Sequence, residues 1–599
     1  MLSNSPVVRS MGARTLFLLT AAVTVIILLG IHELRDSSTP VRLTPIFVFL
    51  FAFDDYNAVF WMLLLLLLAV VIPVQLPARR IFRWVGEHPL GVAAGSAIVL
   101  CGGALGVYRN HPLSMDEYAA YFQSQIFASG HLEGHFPAQQ MDWLVPGGFQ
   151  NFFLSVSHFN GAVASGYWPG FALILTPFTF LGIPWACNPC VSAATLLVIH
   201  RIALRVFEDT EAAGVAVLLT LASPVFFGLG ISYYSMPSHL LANAFYALLL
   251  MQPTPRKAAV AGVVGSIALV LHNPIPHLLF AVPWFVWVAT RKGGMRMLAA
   301  LCAGYLPLSA LLGIGWFELT NHLRAAGGQA ASAPTTTDFV SNLKDLLSPF
   351  GLPTGDVFLA RFIGVVKIWL WAVPGLLVLA CYGAVRGRRD NLCRLLTASA
   401  LATLLGYLFV PPDQGHGWGY RYFHSAWMTL PLLATAALYR PGRVADEPAP
   451  AARMFQNTDT KAFLAACIAL TLVFGVGVRA WQMHQIMQRD LSQMPHYRGT
   501  EPRIVLVDTR FGFYGADLIQ NDPFLRDNET RMLSRGSPED EQMMAQYYPS
   551  YHRVYADIGG AVWSAAPIAP RAAPSRANQA SGSAADRPPA TAAPPQASR

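Results

Sequence analysis

Charged side chains are scarce in this sequence. Only 12% of its 599 residues are Asp, Glu, Lys or Arg, against about 25% in a typical soluble domain. Hydrophobic residues make up 54% of the chain, and its mean hydropathy is +0.42. So few charges cannot cover a water-facing surface of this size, which excludes a soluble globular protein.

Other absences narrow the function further. The formal net charge is +8, but no basic patch with interleaved aromatic residues occurs, which argues against a nucleic-acid-binding protein. The seven cysteines lie mostly inside apolar runs, where a small apolar side chain is the simplest interpretation. No repeat of fixed period is present, and the inverted repeats of many transporters are not evident either.

Long apolar runs are what the sequence has in abundance. They recur from Arg14 to Trp481, and many are long enough to cross a bilayer. Most Lys and Arg residues fall in short loops between these runs, which sets the orientation of each run. The pattern predicts an all-α polytopic membrane protein with about thirteen transmembrane helices, a cytoplasmic N-terminus and an extracytoplasmic C-terminus. Keeping every basic loop inside requires that one apolar segment before residue 291 does not cross, and the charges favour residues 168–184 as that segment.

The chain divides into four predicted regions. A two-helix membrane extension is followed by a large transmembrane domain with two outer loops, and then by a small α/β appendage. The appendage is predicted to contain strands at 504–508 and 553–557 and a helix at 537–546. An Ala/Pro-rich tail of low apolar content is predicted to be disordered. The boundaries are 1–88 for the extension, 89–480 for the transmembrane domain, 109–186 and 318–360 for the loops, 481–564 for the appendage and 565–599 for the tail.

Two adjacent carboxylates, Asp116 and Glu117, follow the third predicted span and begin an amphipathic segment on the outer face. A carboxylate at the boundary of water and lipid is costly unless it is paired, hydrated or used in chemistry. One interpretation is a catalytic base. The other is a solvated helix start, where the helix dipole favours acidic residues.

Three more polar clusters fall on the same predicted face, at residues 235–239, 272–277 and 413–424. Together with the acidic pair they combine carboxylate, imidazole and guanidinium groups. Such a set suits transfer from a lipid phosphate, because a carboxylate can accept a proton and an arginine can hold phosphate oxygens. Simpler interpretations stay open: Arg421 as an interface anchor beside aromatic residues, and the histidines as packed or hydrogen-bonded side chains.

Several of these motifs together resemble the GT-C superfamily of membrane glycosyltransferases, in the branch of the protein O-mannosyltransferases and the aminoarabinose transferase of lipid A. The acidic pair at the start of the first large outer loop is the most specific of them. The motifs that carry the resemblance are Asp116-Glu117-Tyr118, Tyr167-Trp-Pro-Gly170, Ser238-His239, Gly417-Trp-Gly-Tyr-Arg421-Tyr422 and Asn521-Asp-Pro523.

The resemblance implies a polyprenyl-phosphate-linked sugar as donor, inversion at the anomeric carbon and an extracytoplasmic acceptor, which is a protein, a lipid or a glycan. It implies an inner-membrane location, and a divalent metal near the donor phosphate in some members. Asp116 then matches the catalytic carboxylate, and Glu117 its neighbour. The other expected site residues are Arg421, His239 and His272 for the donor phosphate, and Tyr118, Tyr167, His277, His416 and Tyr422 for the substrate pocket.

This sequence departs from the family where many relatives carry an Arg-Pro pair and it has His272-Asn273-Pro274. Two other functions therefore stay under consideration. One is a transporter or flippase for a lipid-linked sugar, and the other is a non-catalytic envelope assembly protein. Convergence of Asp116, Arg421 and the histidines on one cavity would favour the transferase.

Overall fold

The computed structural model describes residues 10–36, 45–71, 77–325, 350–411, 415–439, 454–497, 499–511 and 514–565. The predicted tail beyond residue 565 and the middle of the predicted outer loop 318–360 lie outside this part of the chain. Within it, the protein is predominantly helical, with many apolar helices and two small sheets, as the composition predicted.

The N-terminal extension consists of α1 (Met11–Asp36), α2 (Pro45–Val71) and α3 (Ala78–Glu87). Helix α2 includes a π-helical stretch, Leu50–Asp55. The helix can continue through the charged residue Asp55 because that charge is neutralised in the core of the protein. Asp55 is 1% exposed there and forms ion pairs of 2.9 Å with Lys367 and 2.8 Å with Arg479.

The transmembrane domain contains seventeen further helices among the described residues, several of which are single turns or short segments. They are α4 (Pro89–Gly106), α5 (Met115–Ala128), α6 (Met141–Leu144), α7 (Gly170–Phe180), α8 (Cys187–Phe207), α9 (Thr210–Leu221), α10 (Pro224–Gly230), α11 (Met236–Leu250), α12 (Pro255–Val270), α13 (Ile275–Ala289), α14 (Gly294–Arg324), α15 (Gly355–Leu370), α16 (Leu376–Arg386), α17 (Asn391–Gly406), α18 (Arg421–His424), α19 (Thr429–Leu438) and α20 (Thr458–Leu491).

Seven helices within the described ranges are long and apolar enough to cross a membrane, or eight if α9 and α10, which are bent by 63° at a break, form one span. The predicted total of thirteen therefore stays a prediction. Pro224 begins the second half of that broken span, and Pro374 lies in the break between α15 and α16. Both breaks occur at a proline because proline cannot continue the helical hydrogen bonds.

The eleven residues of α7 reach about 16 Å, which is too short for a hydrocarbon core of about 30 Å.

Small residues allow close contact between helix backbones. A Cβ atom added to Gly262 of α12 would lie 2.1 Å from the carbonyl oxygen of Leu301, and one added to Gly304 of α14 would lie 2.2 Å from that of Ala259. Glycine at such crossings is typical of helix packing in membranes, where dispersion forces between closely packed helices replace the hydrophobic effect.

We expect Gly262→Ala to destabilise the protein by about 1–3 kcal/mol, because the added methyl group forces α12 and α14 apart. Gly91 is the matched control, since it lies in α4 with nothing within 4 Å of its added Cβ. Gly91→Ala should be neutral or stabilise by up to about 1 kcal/mol. Thermal unfolding of both variants in detergent measures the difference, and equal unfolding temperatures would contradict the close packing.

Two small sheets lie outside the helical domain. The first, in the loop after α5, contains β1 (Gly134–His135), β2 (Leu154–Val156) and β3 (Ala162–Ser165) in the antiparallel order β1-β3-β2. The second is the appendage, where the predicted strands and helix are present and two unpredicted strands complete a sheet of order β5-β4-β7-β6. Its elements are β4 (Arg503–Val507), β5 (Glu529–Leu533), α21 (Ser537–Tyr547), β6 (His552–Asp557) and β7 (Gly560–Ser564).

The appendage shares a hydrophobic core with the segment that carries the acidic pair. Tyr118 and Phe122 of α5 are buried in one cluster with Leu506 of β4 and Met532 of β5. This packing places α5 between the membrane helices and the appendage, so its first turn is held from both sides.

Candidate active site

The first turn of α5 turns the two neighbouring carboxylates in different directions. Ser114 caps the helix, and its reciprocal partner in the capping box is Glu117, an arrangement that satisfies free backbone N–H groups at the helix start. Because successive residues in a helix are about 100° apart, fixing Glu117 towards the cap turns Asp116 towards another side.

Glu117 is fully enclosed. It is 0% exposed, and it accepts hydrogen bonds from the Tyr108 hydroxyl at 2.9 Å, the backbone N–H of Leu113 at 2.9 Å and that of Tyr233 at 2.9 Å. Burial raises the pKa of Glu117 to about 7, although these hydrogen bonds work in the opposite direction. Such a carboxylate anchors the helix start to its surroundings.

Asp116 instead contacts the groups of a pocket. Its Oδ2 forms an ion pair of 2.9 Å with Nη1 of Arg421, and its Oδ1 accepts a hydrogen bond of 2.5 Å from the Tyr167 hydroxyl. Burial alone would raise the pKa of Asp116, but the Arg421 guanidinium, aided by His272 and by the Tyr167 hydroxyl, holds it below its usual range. Asp116 is therefore an ionised carboxylate at neutral pH.

Arg421 reaches Asp116 from the far end of the chain through a glycine-rich turn. Gly417 and Gly419 adopt φ angles of 131° and 74°, which residues with a Cβ atom rarely adopt. The turn brings the guanidinium onto the Tyr234 ring, 4.5 Å from its centroid, and Nε donates to the carbonyl oxygen of His416 at 2.9 Å. This fold of the backbone orients the guanidinium before any ligand is present.

A cavity of about 80 Å³ opens beside this ion pair. His239 and Ser425 line it, and neither the two ring nitrogens of the buried His239 nor the Ser425 hydroxyl has a hydrogen-bond partner among the described residues. Unsatisfied buried polar groups are costly, so they indicate a polar ligand. The lining residues are Asp116, Met236, His239, His272, Asn273, Ile275, Pro276, Tyr407, Val410, Arg421, Tyr422 and Ser425.

His272 lies between α12 and α13, with its ring centroid 4.0 Å from that of Tyr167. Burial lowers the pKa of His272 to about 4, partly opposed by Asp116 and reinforced by Arg421. At neutral pH its ring is uncharged, so it can donate one N–H to an anion without contributing a positive charge.

The remaining predicted pocket residues lie around the cavity and not in it, except for Tyr422. His277 bonds Asn243 Oδ1 and the Tyr305 hydroxyl, each at 2.6 Å, and lies behind the pocket. Tyr118 faces the appendage, where its hydroxyl donates to the carbonyl oxygen of Asn521 at 2.6 Å. His416 contributes its backbone carbonyl to Arg421, as described above.

Sequence reasoning missed Tyr234, Ser425 and Asp517. Tyr234 lies directly beside the predicted cluster at 235–239, so an aromatic next to a predicted phosphate site was an available signal. Asp517 had none, because it lies about 400 residues from the acidic pair. Its Oδ1 accepts a hydrogen bond of 2.5 Å from the backbone N–H of Met115, the first residue of α5. The appendage thus caps the helix that presents Asp116.

This contact should make stability depend on pH. Burial raises the pKa of Asp517 to about 7, with Asp116 and Glu117 adding to the effect. The folded state therefore holds a proton that the unfolded chain loses near pH 4. The stability that this raised pKa of Asp517 contributes is complete below about pH 4, and it is lost as the pH rises through about 7. The raised pKa of Glu117 makes stability depend on pH in the same direction.

We therefore expect Asp517→Asn to reduce the loss of stability between pH 5.5 and pH 8, because asparagine stays neutral. Thermal unfolding at the two pH values measures it. Asp522→Asn is the control, since Arg526 holds the pKa of Asp522 low despite the opposing effect of burial. That residue stays ionised throughout, so its replacement should leave the slope unchanged. A wild-type slope in Asp517→Asn would contradict the assignment.

The residues around the pocket provide no evident metal site. Within the described ranges, no group of three or more His, Cys, Asp or Glu side chains is arranged to hold an ion. Asp116, His239 and His272 are the acidic and imidazole side chains that line the cavity, and Asp116 is paired with Arg421.

Comparison with known proteins gives matches among solved structures alone. No protein-family model and no curated protein matches the sequence. ArnT from Cupriavidus metallidurans bound to undecaprenyl phosphate is similar at 12% identity and a TM-score of 0.48, over 80% of this chain and 98% of that one. The apo state of the same protein gives 11% identity and a TM-score of 0.43 over the same shares.

AglB, an archaeal oligosaccharyltransferase from Archaeoglobus fulgidus in complex with an inhibitory peptide and a dolichol-phosphate, is similar at 11% identity and a TM-score of 0.32, over 67% of this chain and 56% of that one. ArnT is an aminoarabinose transferase, and both proteins are GT-C members, the superfamily that the sequence motifs resemble. At these identities and TM-scores, the chemistry of this chain has to be inferred from its own site.

Proposed function

We propose that this protein is an integral-membrane glycosyltransferase of the inner membrane, which moves a sugar from a polyprenyl-phosphate donor to an extracytoplasmic acceptor. The observation that supports it best is the 2.9 Å ion pair between Asp116 and Arg421. It borders a cavity that His239 and His272 also line. A base, a cation and two neutral donors in one place are the groups that transfer from a phosphate requires.

The proposed reaction is a single displacement at the anomeric carbon of the donor sugar. The acceptor hydroxyl oxygen forms the new bond to that carbon while Asp116 takes the hydroxyl proton. The bond between the anomeric carbon and the phosphate oxygen breaks, and its electron pair stays on the phosphate, which leaves as polyprenyl phosphate. General-base catalysis of this kind contributes about 10²–10⁴ in rate.

Arg421 stabilises the charge that collects on the leaving phosphate. Its guanidinium presents N–H groups in a fork that matches phosphate oxygens, and its position is set in advance by His416 and Tyr234. In the absence of substrate it neutralises Asp116. A donor phosphate that shares Arg421 weakens this pairing, which makes the carboxylate a better base when the substrate is present.

Glu117 has a positioning role in this proposal. Its contacts with Tyr108, Leu113 and Tyr233 are all within the protein, so it touches neither substrate nor the reacting atoms. By holding the first turn of α5, it sets the direction in which Asp116 points.

The test is the replacement Asp116→Asn in cells. We expect the envelope glycans and glycolipids of a strain carrying this variant to match those of a strain lacking the protein, because asparagine cannot accept the proton. The variant should be inserted at the wild-type level, which immunoblotting of membranes checks. Mass spectrometry of the envelope then identifies the sugar and the acceptor.

Other outcomes would favour the other functions. Wild-type glycans with Asp116→Asn, but not in the deletion strain, would support an assembly protein that needs only its fold. A deletion strain that accumulates the lipid-linked sugar on the cytoplasmic face would support a flippase. Either result overturns the proposal.

A further inference from the structure

A short non-helical segment, residues 232–234, lies between α10 and α11. All three of its residues, Ser232, Tyr233 and Tyr234, are buried. A buried break between helices leaves backbone groups without their helical partners, so other groups of the protein must bind them. The contacts of the 232–234 segment therefore show what it holds in place, and what holds it.

Tyr233 binds the chain at the start of α5. Its backbone N–H donates to Oε1 of Glu117 at 2.9 Å, and its hydroxyl donates to Oδ1 of Asn110. Arg109 and Asn110 have φ angles of 56° and 51°, a left-handed conformation that residues with a Cβ atom adopt uncommonly. Two such residues in succession persist only where their surroundings hold them. Tyr233 thus holds both the turn before α5 and the carboxylate in its first turn.

Tyr234 reaches the other half of the site. Its ring centroid lies 4.5 Å from Cζ of Arg421, and its hydroxyl is 3.1 Å from Oγ of Ser114, the capping residue of α5. A guanidinium is attracted to the face of an aromatic ring, so the position of the ring influences that of Arg421. Through the two tyrosines, the 232–234 segment contacts both the helix that presents Asp116 and the cation that pairs with it.

A single side-chain amide fixes this segment. Asn188, in the first turn of α8, donates from Nδ2 to the carbonyl oxygen of Ser232 at 2.7 Å and to that of Tyr234 at 2.8 Å. The amide nitrogen carries two N–H groups, so one binds on each side of Tyr233. Asn188 is 3% exposed, and water cannot readily replace its amide.

We propose that Asn188 is a positioning residue for the transfer reaction, because it sets the relative position of Asp116 and Arg421 through the 232–234 segment. This inference rests on the proposed function. The hydrogen bonds of Asn188 reach neither Asp116 nor Arg421 directly, so its effect passes through the backbone of the segment. Without the amide, two buried carbonyl oxygens lose their donor, and both tyrosines shift with them. A misplacement of about 1 Å can lower a reaction rate about 10²-fold.

A double-mutant comparison tests the positioning without any substrate. The unfolding temperature of the full-length protein in detergent is measured for Asn188→Ala in the wild-type background and in Asp116→Asn/Arg421→Ala, which has no ion pair to position. Residues that do not touch give additive effects unless they are coupled. We therefore expect the unfolding temperature to fall in the second background by about half as much as in the wild type, or less.

Asn457→Ala is the matched control. Asn457 also donates from its amide to a backbone carbonyl oxygen, that of Met454 at 2.8 Å, and it accepts from the backbone N–H of Thr460 at the start of α20. Its contacts include no residue of the 232–234 segment. Asn457→Ala should therefore lower the unfolding temperature equally in the two backgrounds.

Transfer is measured in cells by mass spectrometry of the envelope, with immunoblotting to compare protein levels. Per molecule of inserted protein, we expect Asn188→Ala to lower transfer about 10- to 100-fold, and Asn457→Ala to leave it at the wild-type level. Asn188→Ser is a milder variant for both measurements, because a hydroxyl donates to only one carbonyl at a time. Its effects should lie between those of the wild type and of alanine.

Equal shifts of the unfolding temperature for Asn188→Ala in the two backgrounds would overturn the inference, since the amide would then act only on its own surroundings. Wild-type transfer by Asn188→Ala, or an equal loss of transfer in Asn457→Ala, would overturn it too. Failure of the proposed function gives a different result. Wild-type transfer by Asp116→Asn would reject that function, while the unfolding temperatures would still decide whether Asn188 positions the ion pair.

Discussion

Replacing Arg421 by alanine is expected to destabilise the protein by about 3–5 kcal/mol, because it leaves the Asp116 carboxylate buried without its partner. The side chains of Arg421 and Asp116 are 3% and 14% exposed, so water cannot replace the guanidinium fully. The same change should lower transfer by a further factor of about 10²–10³, since the leaving phosphate loses the cation that stabilises it. Unfolding in detergent and transfer in membranes measure the two effects.

Two further variants separate stability from chemistry at this position. Asp116→Asn/Arg421→Ala removes both charges and should regain most of the lost stability, yet it should have no transfer activity. Arg421→Lys keeps a charge but loses the fork that matches carboxylate and phosphate, so we expect near-normal stability with transfer well below wild type. Full activity of Arg421→Ala would show that the guanidinium serves only to neutralise Asp116.

Replacing Asp55 by asparagine is expected to cost about 3–5 kcal/mol of stability, because two buried cations then lose the carboxylate with which both form ion pairs. Lys367 and Arg479 have side chains that are 1% and 2% exposed, and both pair with this carboxylate. The Trp371 indole N–H also donates to it, at 2.8 Å. Thermal unfolding of the purified protein measures the loss.

Asp54 is the matched control for this prediction. Its backbone carbonyl, and not its side chain, accepts the hydrogen bond of Gln482 at 2.9 Å, so Asp54→Asn should change the unfolding temperature much less. Asp55→Asn/Lys367→Met removes one of the stranded charges and should recover part of the stability. An unfolding temperature of Asp55→Asn equal to that of Asp54→Asn would mean that the ion pairs do not hold the extension.

The convergence that the transferase interpretation required is present. Asp116 and Arg421 are 305 residues apart in sequence and form an ion pair, and His239 and His272 line the same cavity. The signal that made this predictable was the orientation of the apolar runs, because the positive-inside rule placed all four residues on one face. Sharing a face does not fix contacts, however, and His277 lies behind the pocket, bonded to Asn243 and Tyr305.

By itself the sequence determined the properties that depend on neighbouring residues. Apolar runs of sufficient length specify helices in a membrane, and the acidic pair at 116–117 with the aromatics after it specifies an amphipathic helix. Short runs of apolar residues in the appendage, at 504–507 and 554–556, specified two of its strands. Each signal is complete within a few turns of chain, so no distant partner has to be known.

Only the tertiary structure decided which of the two adjacent acids faces the pocket. That choice depends on the backbone N–H of Tyr233, which binds Glu117, and on Arg421, which binds Asp116. Only the tertiary structure decided that Asp517 binds the start of α5, and that Lys367 and Arg479 pair with Asp55. These groups are more than 100 residues apart, and the free energy of an ion pair or a buried hydrogen bond depends on distance in space, which the order of residues does not encode locally.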